Sequence, residues 1–110
     1  MVKKRRPEDE PDPARTVREE FYPGGRKRGI AVRIQADYSG KGRLMRYSMA
    51  LMDTRQTSID NGRILGYDNA HGYHHRHHLG KIEAVEFESY ESMEKRFEAE
   101  VCRYLETGEI

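Results

Sequence analysis

Five histidines, His71, His74, His75, His77 and His78, fall within eight consecutive positions of a 110-residue chain that has no others. Imidazole titrates near neutrality, so these rings can both take and give protons under ordinary conditions. A core has little use for so many polar rings in so short a run. Two histidines and an arginine are enough for metal-free cleavage of an RNA phosphodiester. In that reaction the ribose 2′-hydroxyl is the nucleophile, and the protein moves two protons and stabilises a charged phosphorane. His74 and His77 are the expected base and acid, in either order, with His75 and His71 as alternates. Arg76, with Arg33, Arg46 and Lys81, is the expected phosphate-binding set, since guanidinium forks match phosphate oxygens. Tyr67 and Tyr73 can stack bases.

The same rings can be read as metal ligands. A helical segment would put His71, His74, His75 and His78 on one face, whereas an extended one would align His71, His75 and His77. Asp68 could add an oxygen ligand, and first-row metals accept such sets. Gly72 and Gly80 weigh against a regular helix. The metal-free reading leads, with no cofactor expected and a His-ligated, metal-dependent nuclease as an alternative. A non-catalytic nucleic-acid-binding or operon-regulating loop is another. The plainest reading is a solvated loop whose Asp68 and Asn69 only set a turn.

The elements around this run are partly legible. Ile30, Val32, Ile34, Ala36 and Tyr38 alternate with more polar residues, the period of a half-buried strand. Ser39-Gly40-Lys41-Gly42 is a turn, and Met45, Tyr47, Met49 and Leu51 form the apolar side of a second strand. A four-residue turn makes Tyr38 face Arg43, pairs Ile34 with Tyr47 and Val32 with Met49, and leaves Arg33 and Arg46 diagonal neighbours. Asn61-Gly62 marks a turn before a third strand over 63–67, and residues 81–87 read as a fourth, edge strand. Ser89 can cap a helix whose stripe is Tyr90, Met93, Phe97, Val101 and Tyr104 or Leu105, stopping at Gly108. Cys102, beside Val101, reads as a small core or edge residue. Near the start, Asp12-Pro13 resembles a helix cap, and Val17 and Phe21 lie four apart, so a short helix over about 13–21 is expected.

The expected architecture is α+β: an antiparallel sheet of about four strands, the C-terminal helix on one face, and a His-rich loop between strands 3 and 4. Residues 1–28 read as a charged, Pro-rich, partly disordered tail and 29–108 as a single domain. Charge is uneven. Residues 1–80 hold 16 Lys and Arg against 10 Asp and Glu, while 81–110 hold 4 against 9. The histidines therefore belong to the basic part, which suits a phosphate-bearing partner, and the acidic helix is a candidate protein contact. The basic Lys3-Lys4-Arg5-Arg6 run reads as a disordered tail or a nucleic-acid arm. No apolar run reaches the roughly 20 residues of a membrane span, and the start lacks the apolar centre of a signal peptide. One cysteine excludes an internal disulfide and a Cys-based zinc motif. A cytoplasmic protein with no membrane partner is expected.

Gly66-Tyr-Asp-Asn-Ala-His-Gly-Tyr-His-His-Arg-His78, then Leu-Gly-Lys81 and Phe87-Glu-Ser-Tyr90, resembles the signature of the TumE-like toxins. Arg46-Tyr-Ser-Met-Ala-Leu51 is similar as well, and the likeness spans about 29–105. It implies a small toxin of a type II toxin–antitoxin module, with a helix-turn-helix antitoxin as partner and RNA as the expected target. A homodimer is compatible with it. The motif positions it implies are Asp68, Asn69, His71, His74, His75, Arg76 and His77, with His78 ranked lower.

Overall fold

The computed structural model describes residues 12–110; the basic run at 3–6 lies outside them. Six strands form one sheet: β1 (Arg15–Phe21), β2 (Ile30–Tyr38), β3 (Leu44–Asp53), β4 (Arg63–Asp68), β5 (His75–His78) and β6 (Lys81–Ala84). Each pairs antiparallel with its neighbours in the chain, giving the order β1-β2-β3-β4-β5-β6. One helix, α1 (Tyr90–Thr107), covers one face. The α+β class and the helix on one sheet face are as expected, with six strands rather than four.

The core follows the alternation. Ile30, Val32, Ile34 and Ala36 share a face with Tyr47, Met49 and Leu51, and Met93, Phe97, Val101 and Tyr104 of α1 pack there. Burying each large side chain contributes about 1.5–3 kcal/mol, so this layer outweighs any single polar contact. Ser89 caps α1 by accepting from the Ser92 N–H, and Gly108, at φ 73°, ends it. Cys102 is exposed although Val101 beside it is buried.

Three expectations are corrected. The segment read as a helix over 13–21 is the edge strand β1, paired residue by residue with β2 from Arg15↔Tyr38 to Phe21↔Val32. Val17 and Phe21 share a face at spacing four in a strand as well as in a helix, so their spacing could not discriminate. The β2–β3 register differs by two: Ile34 pairs with Met49, Val32 with Leu51, and Tyr38 with Leu44 beyond an irregularity at Asp37. Inward and outward faces survive an even shift, but Arg33 and Arg46 now stand opposite Ala50 and Asp37 and are not diagonal neighbours. The histidine run is a loop only in its first half: His71 and His74 lie in the connection after β4, whereas His75–His78 form β5, between β4 and β6.

Candidate functional site on the open sheet face

Strand parity divides the histidine run between two faces. Asp68 pairs with His75 and Gly66 with His77, so Asp68, His75 and His77 lie on the face away from α1. Tyr67 pairs with Arg76 and Leu65 with His78, so these lie on the helix side.

On the open side, two imidazoles converge on one carboxylate. His75 Nε2 is 2.6 Å from Asp68 Oδ1, and His77 Nε2 is 2.9 Å from Asp68 Oδ2. Oδ1 also accepts from the Ala70 N–H at 3.0 Å, the turn role expected of Asp68. Both rings are buried, at 3% and 7% exposure. His75 Nδ1 lies 3.1 Å from the Tyr73 carbonyl, and the Tyr73 ring is 4.7 Å away, centroid to centroid. Arg63 Nη2 lies 3.0 Å from His77 Nδ1 and can only donate to it, so His77 carries its proton on Nε2 and points it at Asp68. Burial first, and then the Arg63 charge, hold His77 below the ordinary imidazole value, against the pull of Asp68. A neutral ring results.

Arg63 and Asp60 escaped the sequence reading. Alternation from Leu65 and Tyr67 would send Arg63 toward the helix, but an irregularity between Leu51 and Met52 places it opposite Met52 and turns it to the open face. Asp60, Asn61 and Gly62 all have positive φ, and this tight left-handed bend brings Asp60 Oδ2 within 2.7 Å of Arg63 Nε. Gly66 leaves room for Arg63 to cross the sheet: a Cβ there would lie 3.0 Å from Arg63 Cδ and 3.1 Å from the Met49 carbonyl oxygen. The signal available in the sequence was Asn61-Gly62, which marks the turn and not the cluster.

Beside the cluster runs a shallow trough. One part, of about 530 Å³, is lined by Arg18, Glu20, Arg33, Gln35, Asp60 and Arg63 among others. The next, of about 480 Å³, shares Gln35 and Ser48 with it and adds Asp37, Arg46, Asp68 and Asn69. Arg33 Nε donates to Glu20 at 3.1 Å and Arg46 Nε to Asp37 at 3.3 Å. The exposed Arg33–Glu20 pair is worth only about 0–1 kcal/mol, so an incoming phosphate can displace Glu20, whereas Asp37 is buried and positions Arg46. Asn69 joins the wall to β3, accepting from the Tyr47 N–H and donating to the Met45 carbonyl.

The helix side holds His74, Arg76 and Tyr67. His74 stacks on Phe87 with centroids 4.0 Å apart, and its Nδ1 lies 2.8 Å from the Tyr47 hydroxyl. Burial pushes Tyr47 up to about 12, so the phenol donates, and burial followed by the His75 charge lowers His74. His74 is therefore not beside His77. Arg76 donates to Glu100 at 2.5 Å and to the Tyr67 hydroxyl at 3.1 Å, and the Tyr67 hydroxyl itself donates to Glu100. This network ties β5 to α1 and turns Arg76 away from the trough. Tyr67, fully buried, has no face left to stack a base, whereas Tyr73 is 45% exposed beside His75. His71 is exposed in the left-handed region at φ 64°, and Lys81, opposite His78, stands at the sheet edge on the helix side.

The family model described as Toxin TumE matches residues 4–106, which includes β1 and nearly all of α1. No curated protein and no solved structure matches the chain. No helix among the described residues is long and apolar enough to cross a membrane.

Proposed function

The chain belongs to the Toxin TumE family, and from that premise we propose that it is the toxin of a type II toxin–antitoxin module that cleaves RNA without a metal. One observation supports the chemistry: a carboxylate backed by two imidazoles forms the wall of an arginine-bearing trough. Asp68 is the member of the cluster that lines the trough, so protons pass to and from bound RNA through its carboxylate. The 2′-hydroxyl proton leaves toward Oδ2, where neutral His77 stands behind. The proton held between Asp68 Oδ1 and Nε2 of His75, whose Nδ1–H faces the Tyr73 carbonyl, passes to the leaving 5′-oxygen, and the proton taken at Oδ2 replaces it. Arg33, Arg46 and Arg63 hold the flanking phosphates and the phosphorane, and Tyr73 stacks a neighbouring base. The site so drawn keeps His75 and His77, adds Asp68 and Arg63, and assigns His74 and Arg76 to the fold. The partner this reading implies is a helix-turn-helix antitoxin encoded alongside.

The test is growth on induced expression, with total RNA recovered from the same cells. Wild type arrests growth and fragments RNA, whereas Asp68→Asn and His77→Ala do neither while remaining folded. Toxicity that survives both substitutions sinks the proposal, and arrest with intact RNA points to a non-catalytic binder.

A further inference from the structure

Asp68, His75 and His77 offer three ligand atoms within 4.8 Å of one another, and each belongs to a pair of adjacent, hydrogen-bonded strands. We propose that this cluster is also a binding site for one borderline divalent ion of the zinc class, and that the ion shuts the site off. Two imidazoles and one carboxylate with open remaining positions are a donor set that such ions accept. The inhibitory half rests on the ribonuclease reading above; the binding half does not.

The surroundings divide into a finished side and an unfinished side. Ligating histidines usually donate their second N–H to a carbonyl or carboxylate, which fixes the tautomer. His75 already has that partner in the Tyr73 carbonyl, 3.1 Å from Nδ1. His77 does not, because Arg63 donates into its Nδ1. For Nε2 to ligate, the His77 proton must move to Nδ1 and Arg63 must withdraw. Asp60 Oδ2 lies 4.0 Å from that nitrogen and accepts the proton once Arg63 has moved. Arg63 is thus a gate: engaged, it holds Nε2–H on Asp68, and withdrawn, it frees both nitrogens for the ion. A bound ion occupies the Nε2 lone pairs and the Asp68 oxygen together, leaving nothing to carry protons to RNA.

The experiment uses the full chain, stripped with EDTA, dialysed and titrated with Co²⁺ while its visible absorption is followed. One saturable equivalent is expected, displaced by one equivalent of Zn²⁺. Asp68→Asn and His75→Gln should each weaken binding at least 10-fold, and Arg63→Ala should tighten it about 10-fold. His71→Ala and His78→Ala should leave it unchanged, a needed control because histidine-rich runs bind metals adventitiously. Should a cluster variant unfold, imidazole nitrogen resonances of wild type decide: Zn²⁺ must shift His75 and His77. Shifts confined to His71, His74 or His78, or the absence of a saturable signal, overturn the site. RNA cleavage that persists in EDTA and stops on addition of one equivalent of Zn²⁺ supports the inhibitory half. Cleavage that requires Zn²⁺ overturns inhibition and the metal-free mechanism together, while the site stands. EDTA-resistant cleavage by a chain that binds no Co²⁺ overturns the site alone.

Discussion

The two sides of β5 set the same residue types to different work. On the open side, His75 and His77 share one carboxylate next to a trough. On the helix side, Arg76 is held by Glu100 and Tyr67, while His74, just before the strand, is held by Tyr47 and Phe87. The sides differ in what lies opposite each residue. A strand reverses side at every residue, so adjacent histidines with identical chemistry meet a carboxylate in one case and an aromatic stack in the next. Residue type told which chemistry was available, and parity decided which histidines can share it.

That division can be broken most severely on the open side. Asp68→Asn should lower RNA cleavage about 10²–10⁴-fold, the usual worth of a proton-transfer group. His77→Ala, which removes the ring that holds that carboxylate, should lower it in the same direction, with far-UV circular dichroism unchanged in both. A comparable loss in His74→Ala, at wild-type stability, would mean the two faces are not functionally distinct. On the helix side, Arg76→Ala should cost about 3 kcal/mol in urea unfolding, because Glu100 and Tyr67 lose their partner in a largely buried network. Its cleavage per folded molecule should stay within a few-fold of wild type. Gly66→Ala tests the space beneath Arg63 and should cost about 1–2 kcal/mol by unfolding, since the Met49 carbonyl cannot retreat as a side chain can. Acid should act on both sides alike. His74 and His77 are both held below the ordinary value of 6.5, so the unfolded chain binds more protons than the folded one as pH falls below that value. Stability must then fall on acidification from about 6.5, and a thermal midpoint that rises there contradicts both assignments. The smallest effect belongs to exposed His71, where alanine, which keeps the Cβ and so the same left-handed backbone, should change stability by less than about 0.5 kcal/mol.

How much of this was legible differs between strands and side chains. The faces of β2 and β3 were readable because alternation is a local property that an even register shift preserves. The register was not, because the loop over 39–43 closes with Ser39 bonded to Arg43 and an irregularity at Asp37, and residue type announces neither. Gly72 and Gly80 were rightly read as hostile to a helix, yet they bracket a strand: Gly80 and Leu79, both at positive φ, make the two-residue turn into β6. Of the extended alignment of His71, His75 and His77, the structure keeps His75 and His77 together and leaves His71 exposed in the turn before β5. The partners Arg63, Asp60 and Glu100 depend on a bulge, a left-handed bend and the docking of a helix, and those three features are tertiary.

Because every strand pairs with its chain neighbour, the cluster closes within one hairpin. His77 and Asp68 are only nine positions apart, and His75 is nearer still. Joining them costs the entropy of a short loop, whereas docking α1 through Tyr104 and Asp53 spans 51 positions. The hairpin that carries the chemistry can therefore form early, and the helix closes the fold last. Amides of β4 and β5 that become protected from exchange during refolding before α1 docks on the sheet would be the mark of that order.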